Sequence, residues 1–465
     1  MKYYIFAASI LLCVSCSSKK ESSETAEVAK ETSSQVRLIT LDPGHFHAAL
    51  VQKTGYPQVS NDVYVYAPQG DDLQEHLNKI EAYNSREDNP TQWNEIVYAG
   101  EDYLQKMLAD AKGNVMVTAG NNGKKTAYIH QTLSAGINVL ADKPMAIDKE
   151  NFEVLKECFD IAQQKGVMLY DIMTERYEIS TMMQKELSLI PSVYGTQLSG
   201  SQKDPAVVKE SVHHFFKTVS GKPLKRPMWF FDVEQEGDGI VDVTTHLVDL
   251  VQWECFPEQI IDYHKDIEML DANRWTTAMS AAQFKEVTGS DVFPPYLQKD
   301  ITNNVLNVYS NGDIHYKIKG IHAKVSVVWN YTFPKGGGDT HYSIMKGSKA
   351  NLIIRQGAEQ GYKPSLYIEA VKGIDLTVYE KDLQEAMVNI ADKYPGMKLN
   401  KLTSSTWQLE IPANYHVGHE AHFGQVTANF LQYLQEGKLP SWEVPNMLAK
   451  YYVTTQALEI AKGKK

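Results

Sequence analysis

Between residues 36 and 172 the chain alternates short β-like runs with helical patterns, six strands in all, and no other feature constrains its fold as strongly. The runs are Val36–Leu41, Val63–Tyr66, Glu95–Tyr98, Val115–Ala119, Val139–Leu140 and Val167–Tyr170. Between them, Leu73, Leu77 and Ile80 share one helical face, as do Phe152, Leu155, Phe159 and Ala162. A helix is expected from about His47, and Gly136 and Gly166 read as helix stops. This rhythm predicts an α/β domain: a parallel sheet covered by helices on both faces. The polar stretch Asn84–Asn94 reads as a surface insertion. After about residue 175 the pattern changes. Residues 300–370 are rich in Val, Ile, Tyr and Thr, with turn signals at Ser310–Asp313 and Gly336–Gly338. That predicts a second, α+β domain over residues 173–465, with a large and mainly antiparallel sheet and helices in the last fifty residues.

The N-terminus carries an export signal. Lys2 precedes an apolar run, Ile5–Val14, that is too short to span a bilayer comfortably. The run ends in Cys13-Val14-Ser15-Cys16, which resembles a bacterial lipobox, with Cys13 where leucine is usual. Residues 1–15 are read as a lipoprotein signal peptide, Cys16 as the lipidated mature terminus, and residues 16–35 as a disordered tether. With no arginine before Arg37, a twin-arginine route is excluded and the chain would cross unfolded. The expected location is the bacterial cell envelope, with the membrane reached through the lipid anchor only. At 43% hydrophobic residues the chain has ample core, and its formal charge of −11 argues against nonspecific nucleic-acid binding. Four cysteines are too few for a disulfide scaffold, so Cys158 and Cys255 read as buried free thiols.

Three segments carry chemistry. In Leu41-Asp42-Pro43-Gly44-His45-Phe46-His47, a tight turn after the first strand leads into a helix, where a dinucleotide pyrophosphate would meet exposed amides. Only Gly44 survives of a GxGxxG pattern; Asp42 and His47 replace the other glycines. Asp42 with His45-x-His47 also resembles the metal-binding end of an amidohydrolase barrel strand. By itself this segment leaves both readings open.

The second segment runs from Val115 through Gly120-Asn121-Asn122 to Ala135-Gly136-Ile137-Asn138-Val139-Leu140-Ala141-Asp142-Lys143-Pro144. The third is Gly237-Asp238-Gly239 with Asp242, His246 and Asp249, spaced four and three so as to share a helix face. Together they resemble the glucose–fructose oxidoreductase / inositol dehydrogenase (Gfo/Idh/MocA) family, whose E-K-P and D-x-x-x-H elements occur in this order. Asp142 stands for the family glutamate and Thr244 for a glycine. That order sets the amidohydrolase reading aside, and no metal is assigned.

The resemblance implies a Rossmann domain, an oxidoreductase, and a cofactor that is NAD or NADP, with NAD favoured. Cofactor contacts are expected from Gly44, His45, Phe46, His47, Gly120, Asn121, Asn122, Asp142 and Lys143. Lys143 would hydrogen-bond the reacting oxygen, His246 would be the general base, and Asp242 would orient His246 or contact sugar hydroxyls. Arg176 and Tyr177, within a stretch similar to the family's N-R-F/Y, and Trp229 are expected at the substrate. The implied substrate is a sugar or glycoside oxidised at a secondary hydroxyl, by a homo-oligomer with a tightly held cofactor. Alternatives are glycoside cleavage by transient oxidation and a glycan-binding lipoprotein on a dehydrogenase scaffold. The cluster His416, His419 and His422 is expected at the substrate or at packed helix ends rather than on a metal.

Overall fold

A computed structural model describes residues 35–219 and 222–464. The signal segment, Cys16 and the tether lie outside the described residues. The six strands form one parallel sheet: β1 (Leu38–Leu41), β2 (Asp62–Ala67), β3 (Asn94–Ala99), β4 (Val115–Thr118), β5 (Asn138–Asp142) and β6 (Leu169–Ile172), in the order β3-β2-β1-β4-β5-β6. The order reverses between β1 and β4, so the ligand crevice lies beyond the carboxyl ends of those strands. Strands β1, β4 and β6 are buried at every residue, which is why they read as continuous apolar runs.

The helices of this half are α1 (His47–Leu50), α2 (Asp71–Ser85), α3 (Tyr103–Asp110), α4 (Asn122–Ser134) and α5 (Lys149–Lys165). Helix α5 shows how local signals set boundaries. The Asp148 side chain accepts from the Asn151 N–H at 2.7 Å, and Gly166 closes the helix at φ +66°.

Two expectations need correction here. Helix α1 is a single turn, because Gly55 and Pro57 follow it closely. Strand β6 starts two residues late, since Val167 N–H is spent on the Ala162 carbonyl that ends α5. The Asn84–Asn94 stretch lies mostly at the surface, as expected, and is pinned there. Trp93 is 6% exposed and donates from Nε1 to the Gln52 carbonyl, while Thr91 and the Trp93 N–H donate to the Asn84 side chain.

Helix α6 (Ile179–Ser188) leads into β7 (Val207–His214), and α7 (Thr244–Cys255) follows. Strand β7 sits inside the second sheet. Its neighbours in order are Ile267–Ser280, Val305–Ile318, Ile321–Asn330, then β7, then Thr340–Lys346, Ala350–Gln356, Ser365–Ala370, Thr406–Glu410 and Lys398–Lys401. Every pairing along this path is antiparallel except that of β7 with Ile321–Asn330. Ser310–Asp313 is not a turn but the middle of the strand Val305–Ile318. Its glycine serves close packing instead: a Cβ on Gly312 would lie 2.7 Å from that of Ile240, and one on Gly239 would lie 1.8 Å from the Ser310 carbonyl oxygen. The strand thus presses against the loop that leads to α7.

The last two helices, His419–Glu436 and Glu443–Gly463, join both halves. Phe423, Val426, Phe430, Leu431, Met447 and Tyr451 pack into the core of the first sheet. Ala449, Val453, Ala457, Leu458 and Ala461 pack into that of the second. Buried ions cross the same seam. Arg176 makes two 2.7 Å bonds to Asp249 and contacts Glu443 at 3.0 Å, and Lys450 contacts Asp171 at 2.7 Å and Asp249 at 2.9 Å. Cys158 is buried, Cys255 is partly buried, and both are free.

Candidate functional site

The turn after β1 is built by Asp42, which takes the place of the first motif glycine. It adopts φ 47°, a conformation that aspartate tolerates better than most residues, and its carboxylate accepts from Tyr128 Oη at 2.7 Å. The loops after β1 and β4 touch. His45 N–H donates to the Ala119 carbonyl at 3.1 Å, and a Cβ on Gly120 would meet the Asp42 carbonyl oxygen at 2.5 Å. Gly120 is therefore the residue that permits this approach. Gly44 lies beneath Trp229 and Asp72, and Trp229 Nε1 donates to Asp72 Oδ2 at 3.0 Å. Trp229, expected at the substrate, stands over the glycine turn instead.

At the end of β5, Asp142 faces back to the same turn. Its Oδ2 is 2.9 Å from His47 Nδ1 and 3.7 Å from His45 Nδ1. Lys125 donates to the Asp142 carbonyl at 2.9 Å and to the Asn122 side chain. Asn122 in turn donates to the Glu236 carbonyl at 2.8 Å, and Asn121 to the Gln235 side chain at 2.8 Å. The two asparagines expected at the cofactor thus tie the start of α4 to the 232–238 turn of the second half.

Lys143 directly follows β5 and pairs with Asp242. Burial opposes its charge, but Asp242 and Asp142 outweigh burial and hold its pKa above the ordinary lysine value. The spacing of Asp242 and His246 suggested one helix face, yet α7 begins at Thr244, so Asp242 lies in the turn before it. It serves Lys143, not His246. His246 occupies the first turn of α7. Desolvation pushes its pKa well below the ordinary value, and the nearby Lys143 charge pushes the same way. Its Nδ1 is shielded from solvent with no hydrogen-bond partner among the described residues. A lysine whose charge is favoured, just after β5, and an imidazole whose charge is disfavoured, in the first turn of α7, thus come from the two halves, and the Lys143 charge acts on His246.

Arg176, expected at the substrate, gives Nε, Nη1 and Nη2 to Asp249 and Glu443 and so clamps the seam. Tyr177 packs against the first core.

The structure brings in one residue of the expected histidine cluster and adds others that sequence reasoning passed over. His419 opens the helix His419–Glu436 with its ring 5.4 Å from that of His47, and burial lowers its pKa to about 4. Its signal was the histidine density of residues 416–422. Glu236 is held well above the ordinary carboxylate range by desolvation and then by Asp242, and Glu175 is raised to about 7 by desolvation and then Glu178. Both carboxyls feel the Lys143 charge. Arg226 lies 4.6 Å over Phe230 and 5.1 Å over Trp329, while His213, His214 and Lys217 converge on Asp339.

Residues 57–171 match a family model described as "Oxidoreductase family, NAD-binding Rossmann fold" (Gfo/Idh/MocA), and residues 183–462 match the "Putative oxidoreductase C terminal domain". The first match leaves out the β1 turn. No curated protein matches. The crystal structure of "a putative oxidoreductase" from Parabacteroides merdae is 69% identical, with a TM-score of 0.92 over 93% of this chain and 98% of that one. KijD10, a 3-ketoreductase from Actinomadura kijaniata solved with NADP and TDP-benzene, has 11% identity and a TM-score of 0.55 over 92% and 97% of the chains. Biliverdin reductase from Synechocystis, solved with biliverdin and NADP⁺, has 12% identity and a TM-score of 0.54 over 92% and 99%. These last two share the fold. With both halves matched and a 69% identical relative along nearly its whole length, the chain belongs to the Gfo/Idh/MocA family of NAD(P)-binding oxidoreductases.

Proposed function

We propose that this protein oxidises a secondary hydroxyl of a sugar or glycoside, using a tightly held nicotinamide dinucleotide, with NAD favoured over NADP. The observation that carries this reading is the pairing of a Lys143 kept charged by Asp242 with a His246 kept neutral by desolvation. The neutral imidazole is in the form that accepts a hydroxyl proton. The ammonium can donate to the same oxygen and stabilise negative charge as it develops. Asp242 is a positioning residue that keeps Lys143 charged and aimed. A bound dinucleotide supplies the hydride acceptor.

The residues present fit such a group. The switch point, the short loops after β1 and β4, and Lys143 at the end of β5 frame one crevice. Asp71 and Asp72 open α2 directly after β2, and carboxylates there suit ribose hydroxyls better than a 2′-phosphate.

A second reading, glycoside cleavage through transient oxidation, is favoured by Glu236 and Glu175. Desolvated carboxyls with raised pKa values near Lys143 are acids that simple dehydrogenation does not need, and protonating a departing aglycone does. A panel of glycosides, with cofactor reduction, keto-product and free aglycone all followed, separates the two. Keto-product with cofactor reduction supports dehydrogenation; aglycone release without net reduction supports cleavage. Denatured protein that releases no nucleotide, with melting unchanged by NAD⁺ or NADP⁺, would instead support glycan binding alone.

We further propose a lipid anchor at Cys16 in the bacterial cell envelope, on the strength of the lipobox-like Ser15-Cys16. A fatty-acid probe should label the intact protein and not Cys16→Ala; label persisting in that variant would rule the anchor out.

A further inference from the structure

We propose that His45, His47 and Asp142 bind a divalent transition-metal ion of the zinc class. This does not rest on the dehydrogenase reading. The sequence set Asp42 beside the two histidines and assigned no metal. The structure sends the Asp42 carboxylate to Tyr128 and brings in Asp142 from the end of β5, 95 residues beyond His47.

The ligand atoms of the three residues all lie within 4.8 Å of one another. Asp142 Oδ2 stands 2.9 Å from His47 Nδ1 and 3.7 Å from His45 Nδ1. Ligands held about 2.0–2.2 Å from a tetrahedral zinc ion stand roughly 3.3–3.6 Å apart, so the two spacings lie on either side of the required range. The imidazole rings meet edge to face at 4.0 Å, so neither blocks the other's ring nitrogens. Two imidazoles and one carboxylate form the donor set of open-sited catalytic zinc and non-haem iron centres.

The surroundings hold this arrangement in place. Hydrogen bonds of Gly44 N–H to the Asp42 carbonyl and of His45 N–H to the Ala119 carbonyl fix the turn that carries both histidines. Lys125 bonds the Asp142 main-chain carbonyl and leaves the carboxylate to the histidines. The nearby Lys143 charge is matched by Asp242. The His45 side chain is 20% exposed, which gives an ion a way in. The His419 ring, 5.4 Å from that of His47 on a separate helix, borders the open side.

The competing account is a His47–Asp142 hydrogen bond that takes no ion. Full-length mature protein, stripped with a chelator, is titrated with Zn²⁺ and with Co²⁺, reading bound metal after dialysis and the Co²⁺ visible spectrum. One ion per chain is expected. Second-shell changes typically cost about 10–100-fold in metal affinity, so His45→Ala, His47→Ala and Asp142→Asn should each cost at least about that much. Melting temperatures are taken for each variant. His45→Ala, on the exposed rim, keeps the test decisive if the buried variants unfold. No uptake by the unaltered protein overturns the proposal. So does uptake that His45→Ala leaves unchanged, or uptake lost only on replacing His416 and His422. Dinucleotide binding by the same stripped protein tests the dehydrogenase reading separately.

Discussion

Replacing His246 with alanine should lower turnover by about 10²–10⁴-fold while nucleotide binding persists, if the imidazole is the proposed base and acts on the substrate rather than the pyrophosphate. Lys143→Ala should lose activity on the same scale. If both act on one oxygen, the double variant should be little worse than the more damaged single. The pH profile adds a second reading. The proposed base must be neutral to act, and the His246 pKa is lowered, so the acid limb should fall below the ordinary histidine value of about 6.5. Desolvation is the larger cause of that lowering and the Lys143 charge the next, so Lys143→Ala should move the acid limb of its residual activity to higher pH. A merely packed histidine predicts a lower melting temperature, with activity following the folded fraction. A destabilised His246→Ala protein with normal turnover per folded molecule would end the assignment.

Asp249→Ala should cost about 3–5 kcal/mol of stability, because it removes one carboxylate partner from each of two buried cations, leaving Glu443 and Asp171 as the others. Arg176 would lose two of its bonds and Lys450 one. Burial opposes the Asp249 charge, but Arg176 and Lys450 outweigh it and hold the carboxyl far below its ordinary range. A depressed folded-state pKa contributes stability above the unfolded value of about 3.9, and that stability is lost as pH falls toward the folded one. The intact protein should therefore lose stability below about pH 4 more steeply than the variant. Denaturant midpoints at neutral and acid pH check both statements; an unchanged neutral midpoint would refute the role given to the seam.

The sequence reveals what is local. Strand runs buried on both faces, the Asp148 cap and the Gly166 stop all act within a few residues, and the Asp142-Lys143-Pro144 and His246 segments carry their resemblance in place. What escaped depends on distant partners. Arg176 looked like a substrate ligand because its carboxylates lie 73 and 267 residues away. Asp242 looked like a partner of His246 because spacing alone cannot show that α7 starts two residues later. Gly312 looked like a turn because nothing nearby announces Ile240. Trp229 looked like a sugar platform until Asp72, 157 residues upstream, was seen to hold it over Gly44.

The final helix bears on the order in which the molecule is made. Met447 and Tyr451 complete the interior of a sheet whose last strand ends at Ile172. At synthesis rates of about 5–20 residues per second, that interior waits tens of seconds for its closing pieces. The nucleotide-binding half is thereby kept from finishing early. The same feature makes the terminus a completion check: a chain cut short before Met447 would leave apolar residues of the first core uncovered.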